Sequence, residues 1–268
     1  MSTGTLRILT AVVGAPLVLA ATLYGGIAFA ALVLVAAAAC QIEFYQLTKA
    51  TDNRLMVGLA LLAGALIVAG FLEPLLWVVS ALVLILIIVV FPFADKAGGG
   101  VHSISALLAG IVYPTTLLAT LVGVRLSAHA AAAELTILAV VLVWSSDTFA
   151  YYVGKTVGRH QLTEISPKKT WEGSIGGLIG AGVVGAILKL WWFGALLGWL
   201  DVALLVVICG GLGQLGDIFE SKLKRSAEVK DSGSLLPGHG GMLDRLDAVI
   251  VVAPLVYIVF VAGLRYVP

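Results

Sequence analysis

The sequence has little charge. Only 12% of its 268 residues are Asp, Glu, Lys or Arg, whereas 60% are hydrophobic and the mean hydropathy is +1.09. A water-soluble domain of this length could not bury so much apolar surface, so the composition excludes a soluble globular protein. The formal net charge of +1 gives no indication of nucleic-acid binding. The composition therefore predicts a membrane protein.

Cysteine, repeats and linkers are also scarce. The two cysteines, Cys40 and Cys209, lie far apart inside apolar runs and form no CxxC pair, so the sequence indicates neither a disulfide framework nor a zinc site. The sequence contains no low-complexity linker and no repeat of the roughly 20–50-residue period seen in repeat proteins. The apolar stretch continues almost unbroken past Gly25 and Gly26 without a convincing A-x-A cleavage site, which favours a retained first span over a signal peptide. We expect one helical bundle.

Apolar runs are abundant, and a membrane-spanning helix needs roughly 20 mostly apolar residues. The fold is therefore predicted to be all-α and polytopic, with about nine transmembrane helices. The runs centre on residues 8–24, 26–42, 55–72, 75–93, 104–124, 135–153, 174–199, 201–219 and 247–264.

The distribution of basic residues predicts the orientation. If the N-terminus is cytoplasmic, all of the 16 Lys and Arg residues except Arg125, Lys189 and Arg265 lie on the cytoplasmic side. The positive-inside rule then places the N-terminus inside and the C-terminus outside. The two long polar connections, 154–173 and 220–246, also lie on the cytoplasmic side, so we expect the function to reside there.

The chain is predicted to divide into an N-terminal set of transmembrane helices, 1–134, and a catalytic part, 135–268, that contains both cytoplasmic loops. Glycines cluster in the second part, and small residues at four-residue spacing allow helices to approach closely. Tight packing accounts for most of them. They are Gly173, Gly176, Gly177, Gly180, Gly210, Gly211, Gly213 and Gly216.

Aspartates occur at the predicted cytoplasmic ends of three spans. Asp147 and Asp217 lie within spans, where acidic side chains usually mark an ion or substrate site. Asp244 and Asp247 are three residues apart and share one helical face if the last helix starts early enough. They could also serve only as partners of the helix dipole. Hard oxygen ligands in this number suit Mg²⁺, which commonly bridges carboxylates and substrate phosphates.

The segment 220–246 combines basic side chains with glycine pairs. Glycines permit positive φ and close approach of the backbone, whose N–H groups form anion-binding nests. Lys and Arg supply the charge that phosphates require. A loop that only sets the topology would also be basic, but that role does not explain why Gly, His, Asp and Arg alternate in so short a stretch.

The segment 154–173 ends just before a predicted helix. Ser166 or Thr170 is expected to cap that helix, and Glu172 is placed favourably against its dipole. The adjacent Lys168 and Lys169 at a helix N-terminus would also form a phosphate-binding corner. The two interpretations are compatible.

Six stretches of mixed polar chemistry together resemble the signature of the phosphatidate cytidylyltransferases, also called CDP-diacylglycerol synthases. The resemblance covers the C-terminal half, and the N-terminal half is similar only in its apolar spans. The stretches are Asp147–Gly154, Ser166–Gly173, Ser221–Arg225, Lys230–Asp231, Pro237–Gly241 and Asp244–Asp247.

The resemblance implies the reaction CTP + phosphatidate → CDP-diacylglycerol + pyrophosphate, a step of phospholipid biosynthesis. It also implies a Mg²⁺-dependent homodimer with a second cation such as K⁺, in the inner (plasma) membrane of a bacterial cell, with the active site facing the cytoplasm. No nucleic-acid partner is expected. The implied metal ligands are Asp217 and Asp244, with Asp147 and Asp247 as further ligands or outer partners.

Further roles follow from the same resemblance. Ser221 lies one helical turn beyond Asp217, within reach of a metal or phosphate. His239 is a candidate hydrogen-bond donor to phosphate or a proton carrier, or it has only a structural role. The expected catalytic residues are Asp217, Asp244, Asp247, Lys168, Lys169 and His239. The expected substrate-binding residues are Ser166, Ser221, Lys224, Arg225, Lys230, Asp231, Gly240, Gly241 and Arg245.

An ion-coupled transporter is the alternative, because intramembrane aspartates and glycine-rich helices are expected there too. The site of a transporter should lie near the middle of the membrane. Here the acids lie toward one end of their spans, beside basic loops, which favours an enzyme.

Overall fold

The computed structural model describes residues 3–50, 52–94, 100–194, 196–235 and 240–263. Within these ranges the regular structure is helical, apart from isolated bridge residues such as the antiparallel pair Gln161 and Thr170. The predicted all-α class is confirmed. His239, Lys96 and Arg265, on which earlier predictions rest, lie outside the described residues.

Eleven α-helices follow one another along the described chain. Three short π-helical segments lie between or after them: 111–116 and 206–212 each connect two α-helices into one longer helical segment, and 189–193 extends the helix before it. The α-helices are α1 Thr3–Tyr24, α2 Gly26–Thr48, α3 Arg54–Ala69, α4 Leu75–Ala94, α5 Gly100–Gly110, α6 Leu117–Leu126, α7 Ala132–Val157, α8 Trp171–Leu188, α9 Trp199–Leu205, α10 Gly213–Ser226 and α11 Leu243–Phe260.

Five helical segments of the described residues are long and apolar enough to cross a membrane. They are Gly26–Thr48, Gly100–Leu126, Ala132–Val157, Trp171–Phe193 and Trp199–Ser226. Three shorter apolar helices cover the predicted runs near residues 8–24, 55–72 and 75–93. The last predicted run corresponds to α11, whose first turns contain Asp244, Arg245 and Asp247.

The polar segments are shorter than predicted because the flanking helices continue into them. α7 extends to Val157 and α8 begins at Trp171, so the first loop comprises residues 158–170. α10 extends to Ser226 and α11 begins at Leu243, so the second loop comprises residues 227–242. Several predicted loop residues are therefore helical: Ser221, Lys224, Arg225, Asp244 and Arg245.

The chain forms two compact units. The first comprises Met1–Leu126 and Ala227–Arg245, and the second comprises Ser127–Ser226 and Leu246–Pro268. In this grouping the loop after α10 belongs with the N-terminal helices, and the division into 1–134 and 135–268 stays a prediction.

A buried polar network joins the helices of the first unit. The Gln41 side-chain amide donates to Ala60 O (2.9 Å) and to the Tyr45 hydroxyl (2.7 Å), and accepts from Thr115 Oγ1 (3.0 Å). The Tyr45 hydroxyl in turn donates to Leu107 O (2.9 Å). Because the polar groups of this network are hydrogen-bonded inside an apolar core, they fix the packing of α2 against α3 and α5.

Glycines bring the helices of the second unit close together, as predicted. A Cβ atom at Gly177 would lie 2.8 Å from the carbonyl oxygen of Ser146, so α8 packs directly on the α7 backbone. Likewise, a side chain at Gly180 would overlap Phe149, and one at Gly216 would overlap the Asp247 carbonyl. Close packing of this kind positions the polar ends of α7, α8, α10 and α11.

Candidate active site

The second unit contains a cavity of about 610 Å³ lined by α7, α8, α10 and the loop 158–170. This volume lies in the roughly 300–1,000 Å³ range of small-molecule sites, which also have a few convergent polar groups. The cavity brings together five of the predicted site residues. They are Asp147, Ser166, Lys168, Lys169 and Asp217.

The loop 158–170 is folded back on itself at the cavity. Leu162 N donates to Lys169 O (2.8 Å) next to the antiparallel bridge. The Glu172 carboxylate accepts hydrogen bonds from Arg159 N (3.1 Å) and His160 N (3.2 Å) and pairs with the His160 imidazole (2.5 Å). These contacts tie the beginning of the loop to the first turn of α8, so the lysines between them have a defined backbone.

Thr170 caps α8. Its Oγ1 accepts a hydrogen bond from Gly173 N (3.1 Å), which satisfies one of the N–H groups that a helix start leaves without an intrahelical acceptor. Of the two predicted caps, Thr170 therefore has this role, and Ser166 lines the cavity instead. The predicted position of Glu172 in the first turn is confirmed.

Lys169 and Asp217 form an ion pair in the cavity. Their side chains are 23% and 37% exposed, so water screens the pair and it contributes little to stability. The pair nevertheless holds opposite charges of the loop and α10 side by side.

Carboxylates from three helices meet near Asp247. This residue of α11 is only 8% exposed, and its carboxylate is close enough to Asp217, Glu220 and Asp147 to interact electrostatically with them. Like charges at short range repel more strongly in a partly buried site than in water. Three of the four predicted metal-binding aspartates, Asp147, Asp217 and Asp247, are therefore brought together within the second unit.

The donor set of this cluster fits a hard divalent cation. Carboxylate oxygens are the ligands that Mg²⁺ prefers, and Mg²⁺ is usually bound by one or two carboxylates, waters and substrate phosphates instead of a complete protein cage. The described part of the chain contains no group of three or more His, Cys, Asp or Glu side chains arranged to hold a metal ion, so the metal-binding role of these aspartates stays a prediction.

Glu220 and Lys224 form a second ion pair, one turn apart on α10, with 2.6 Å between Nζ and Oε2. Glu220 is fully buried and the Lys224 side chain is only 12% exposed. Sequence analysis missed Glu220 and assigned Lys224 to phosphate binding. In the structure Lys224 neutralises a buried carboxylate, and its binding of phosphate stays a prediction.

Replacing Lys224 alone is expected to destabilise the protein. Lys224→Met leaves the Glu220 charge buried without this partner, a change that typically lowers the free energy of unfolding by about 3–5 kcal/mol. The double variant Glu220→Gln, Lys224→Met removes both charges and should recover most of that loss. Unfolding in mixed detergent micelles measures both. Equal stability of the single and double variants would contradict the pairing.

Asp244, in the first unit, organises the loop before it. Its Oδ2 accepts hydrogen bonds from Ser232 N (2.9 Å) and Gly241 N (2.8 Å) and lies 3.0 Å from Ser232 Oγ. Gly240 has a φ of +86°, the positive φ expected for the glycines of this loop. The assignment of Asp244 as a metal ligand stays a prediction, and its observed role is to close the loop.

Glu43 is the residue that sequence analysis missed in the first unit. It is 4% exposed in α2, and its carboxylate accepts hydrogen bonds from Met242 N (2.9 Å), Leu243 N (2.8 Å) and Ser232 Oγ (3.1 Å). These contacts group the loop 227–242 with the N-terminal helices. The signal was present, because an acidic residue inside an apolar run usually has a specific function.

The other predicted site residues are distributed between the two units. Ser221 and Arg225 lie on α10 in the second unit, with Ser221 on the same helix as Asp217 as expected. Lys230, Asp231 and Arg245 belong to the first unit and are exposed. A side chain at Gly241 would overlap Ser232 and Glu43, so that glycine is required for loop packing.

The helical spans and the charged cavity define a membrane protein with a site for a polar ligand, and comparisons assign its family. A model of the cytidylyltransferase family matches residues 5–262. A phosphatidate cytidylyltransferase of Rickettsia bellii is 34% identical over 221 residues, which cover 77% of this chain and 90% of the relative. The chain belongs to the cytidylyltransferase family, and the predicted family is confirmed.

Two further phosphatidate cytidylyltransferases are more similar over shorter segments. That of Synechocystis sp. is 50% identical over 125 residues, 46% of this chain and 41% of the relative. That of Bacillus subtilis is 46% identical over 121 residues, 44% of each chain. The matched segment thus spans less than half the length of these two relatives.

Proposed function

We propose that this chain is a membrane-embedded phosphatidate cytidylyltransferase that converts CTP and phosphatidate into CDP-diacylglycerol and pyrophosphate. The observation that carries the proposal is the cavity lined by both Lys168 and Lys169 and by Asp147 and Asp217, with Lys169 and Asp217 paired. The family supports the cytidyl donor, and the names of the relatives support the lipid acceptor.

The reaction requires charge neutralisation more than a strong base. The phosphate monoester of phosphatidate has a second pKa of about 6 and is therefore largely dianionic at pH 7. One of its oxygens attacks the α-phosphorus of CTP, and the bond from that phosphorus to the bridging oxygen of the β-phosphate breaks, releasing pyrophosphate. The protein must hold the two polyanions in line and neutralise charge on the leaving group.

The Lys169–Asp217 pair suits this task. A phosphate group that enters the cavity replaces Asp217 as the partner of Lys169, and Lys168 beside it contributes a second positive charge. Asp217, Asp247 and Asp147 are the residues of the second unit that would hold a Mg²⁺ ion, with Asp244 proposed as a further ligand. When bound, Mg²⁺ supplies positive charge to the phosphate oxygens.

We also propose the finer topology and assembly: about nine spans, a cytoplasmic N-terminus, an active site facing the cytoplasm of a bacterial plasma membrane, and a homodimer with a second cation such as K⁺. The asymmetric distribution of Lys and Arg supports the orientation.

Labelling of Ser234→Cys by a membrane-impermeant maleimide should succeed from the cytoplasmic side alone. The mass of the native protein in nanodiscs tests the dimer.

The function is tested by supplying purified protein in nanodiscs with CTP, phosphatidate and Mg²⁺. Pyrophosphate and CDP-diacylglycerol should form in equal amounts, and neither should form when diacylglycerol, which lacks the attacking phosphate, replaces phosphatidate. Absence of both products with active, folded protein would refute the proposal. An ion-coupled transporter would give ion flux in vesicles without pyrophosphate.

A further inference from the structure

Glu43 is an acidic side chain in a strongly apolar helix. An 18-residue stretch within the segment Gly26–Thr48 has a mean hydropathy of 2.2, and Glu43 of this segment is nearly inaccessible, next to buried Phe44 and Tyr45. Burying a carboxylate is costly unless hydrogen bonds replace the lost water. The hydrogen bonds that Glu43 receives therefore indicate what it does.

Both oxygens of Glu43 accept hydrogen bonds from a segment about 200 residues further along the chain. Oε1 accepts from Met242 N, whereas Oε2 accepts from Leu243 N and Ser232 Oγ. Met242 and Leu243 lie at the start of α11, where backbone N–H groups have no intrahelical acceptor. Glu43 thus caps α11 from a distant helix, a role that a local residue normally fills.

The same contacts connect Glu43 to Asp244. The Ser232 hydroxyl lies 3.1 Å from the Glu43 carboxylate and 3.0 Å from that of Asp244. Gly233 and Gly241 pack so closely on Glu43 that a Cβ at Gly233 would lie 2.6 Å from Oε1. Residues 232–233 and 241–242 of the polar loop are therefore held by one pair of carboxylates, one from α2 and one from α11.

We infer that Glu43 is a positioning residue for the nucleotidyl transfer: by capping α11 and binding Ser232, it fixes residues 232–233 and 241–242 of the polar loop and the first turn that carries Asp244 and Arg245. The inference rests on the proposed function. It assigns the N-terminal helices a part in the chemistry, because one of them supplies the acceptor that the polar loop needs. Glu43 itself touches no substrate in this role.

The variant Glu43→Gln tests the role at nearly constant volume. A glutamine offers one carbonyl oxygen where the carboxylate offers two, and its NH₂ group would face a backbone N–H donor. Glu43→Asp keeps both acceptor oxygens on a shorter side chain and should be intermediate. Gln41→Met is the matched control, because Gln41 is equally buried in α2 but binds Ala60, Tyr45 and Thr115 of the helical core.

Hydrogen–deuterium exchange in nanodiscs without substrate measures the loop directly. In Glu43→Gln, peptides that contain Ser232 or residues 241–243 should exchange about tenfold faster, as expected when a hydrogen bond to a charged group is lost. Peptides from α7 should exchange at the wild-type rate. Gln41→Met should not accelerate exchange of the loop selectively.

Activity then tests the link to catalysis. The kcat of Glu43→Gln should fall about tenfold, with partial recovery in Glu43→Asp, whereas Gln41→Met should keep kcat within about twofold. Wild-type exchange of the loop in Glu43→Gln, or faster exchange with unchanged kcat, would overturn the inference. If the loop exchanges faster in Glu43→Gln but the wild-type protein releases no pyrophosphate, the proposed function is refuted, whereas the structural role of Glu43 is supported.

Discussion

Asp217→Ala is expected to lower kcat by a factor of about 10²–10³ with Mg²⁺ supplied, the loss typical when one group that stabilises transition-state charge is removed. Asp217 lines the cavity, pairs with Lys169 and acts on Asp247. Its removal therefore disturbs both the cationic and the anionic side of the site. Release of pyrophosphate from CTP in the presence of phosphatidate measures the effect.

Asp201→Asn is the matched control for Asp217→Ala. Asp201 is a buried carboxylate of the second unit that does not line the cavity, and its Oδ2 accepts a hydrogen bond from Gly198 N (2.7 Å) at the start of α9. Its replacement should lower the thermal stability and leave kcat within about twofold of wild type. Wild-type turnover of Asp217→Ala would show that this aspartate has no part in the reaction.

Lys168→Ala is expected to raise the KM for CTP, for phosphatidate or for both by about 10–100-fold. A hydrogen bond between charged groups contributes about 1.5–3 kcal/mol, and Lys168 lines the cavity next to the Lys169–Asp217 pair. Lys168→Arg, which keeps the charge, should lose less. Initial rates measured against each substrate separately identify the phosphate that Lys168 binds.

Lys222→Gln, which removes one positive charge from α10, is the control for the charge that Lys168→Ala removes. Lys222 is exposed on α10, and it is absent from the lining of the cavity. A general electrostatic attraction of anionic substrates would be weakened in both variants, and more strongly at low salt. Equal changes in KM for Lys168→Ala and Lys222→Gln would therefore exclude a specific contact by Lys168.

The sequence predicts the helical class well because the bilayer leaves few alternatives. Backbone polar groups have no water to bind in the apolar layer, so an apolar run must become a helix. The run 26–42 and the helix Gly26–Thr48 illustrate this agreement. The ends of helices were harder to predict, because α10 continues through a polar stretch in which Glu220 and Lys224 pair across one turn.

The site was predictable where its residues are local or on helices of known direction. Lys168 and Lys169 adjoin a helix start, and Asp147 and Asp217 were expected at the same ends of their spans. Glu43 was missed because its partners Ser232 and Leu243 are remote in the sequence. Hydrophobic periodicity indicates which residues are buried, but it does not identify the partner of a buried carboxylate.

The capping of α11 by a carboxylate of α2 has a consequence for dissecting the protein. A fragment or chimera that begins after Leu126 would leave the amides of Met242 and Leu243 without the acceptor they have in the intact chain, and unsatisfied amides in apolar surroundings are destabilising. Any graft of the C-terminal half onto foreign helices must therefore bring an acid at the position of Glu43 with it. The two halves of the sequence are not interchangeable modules.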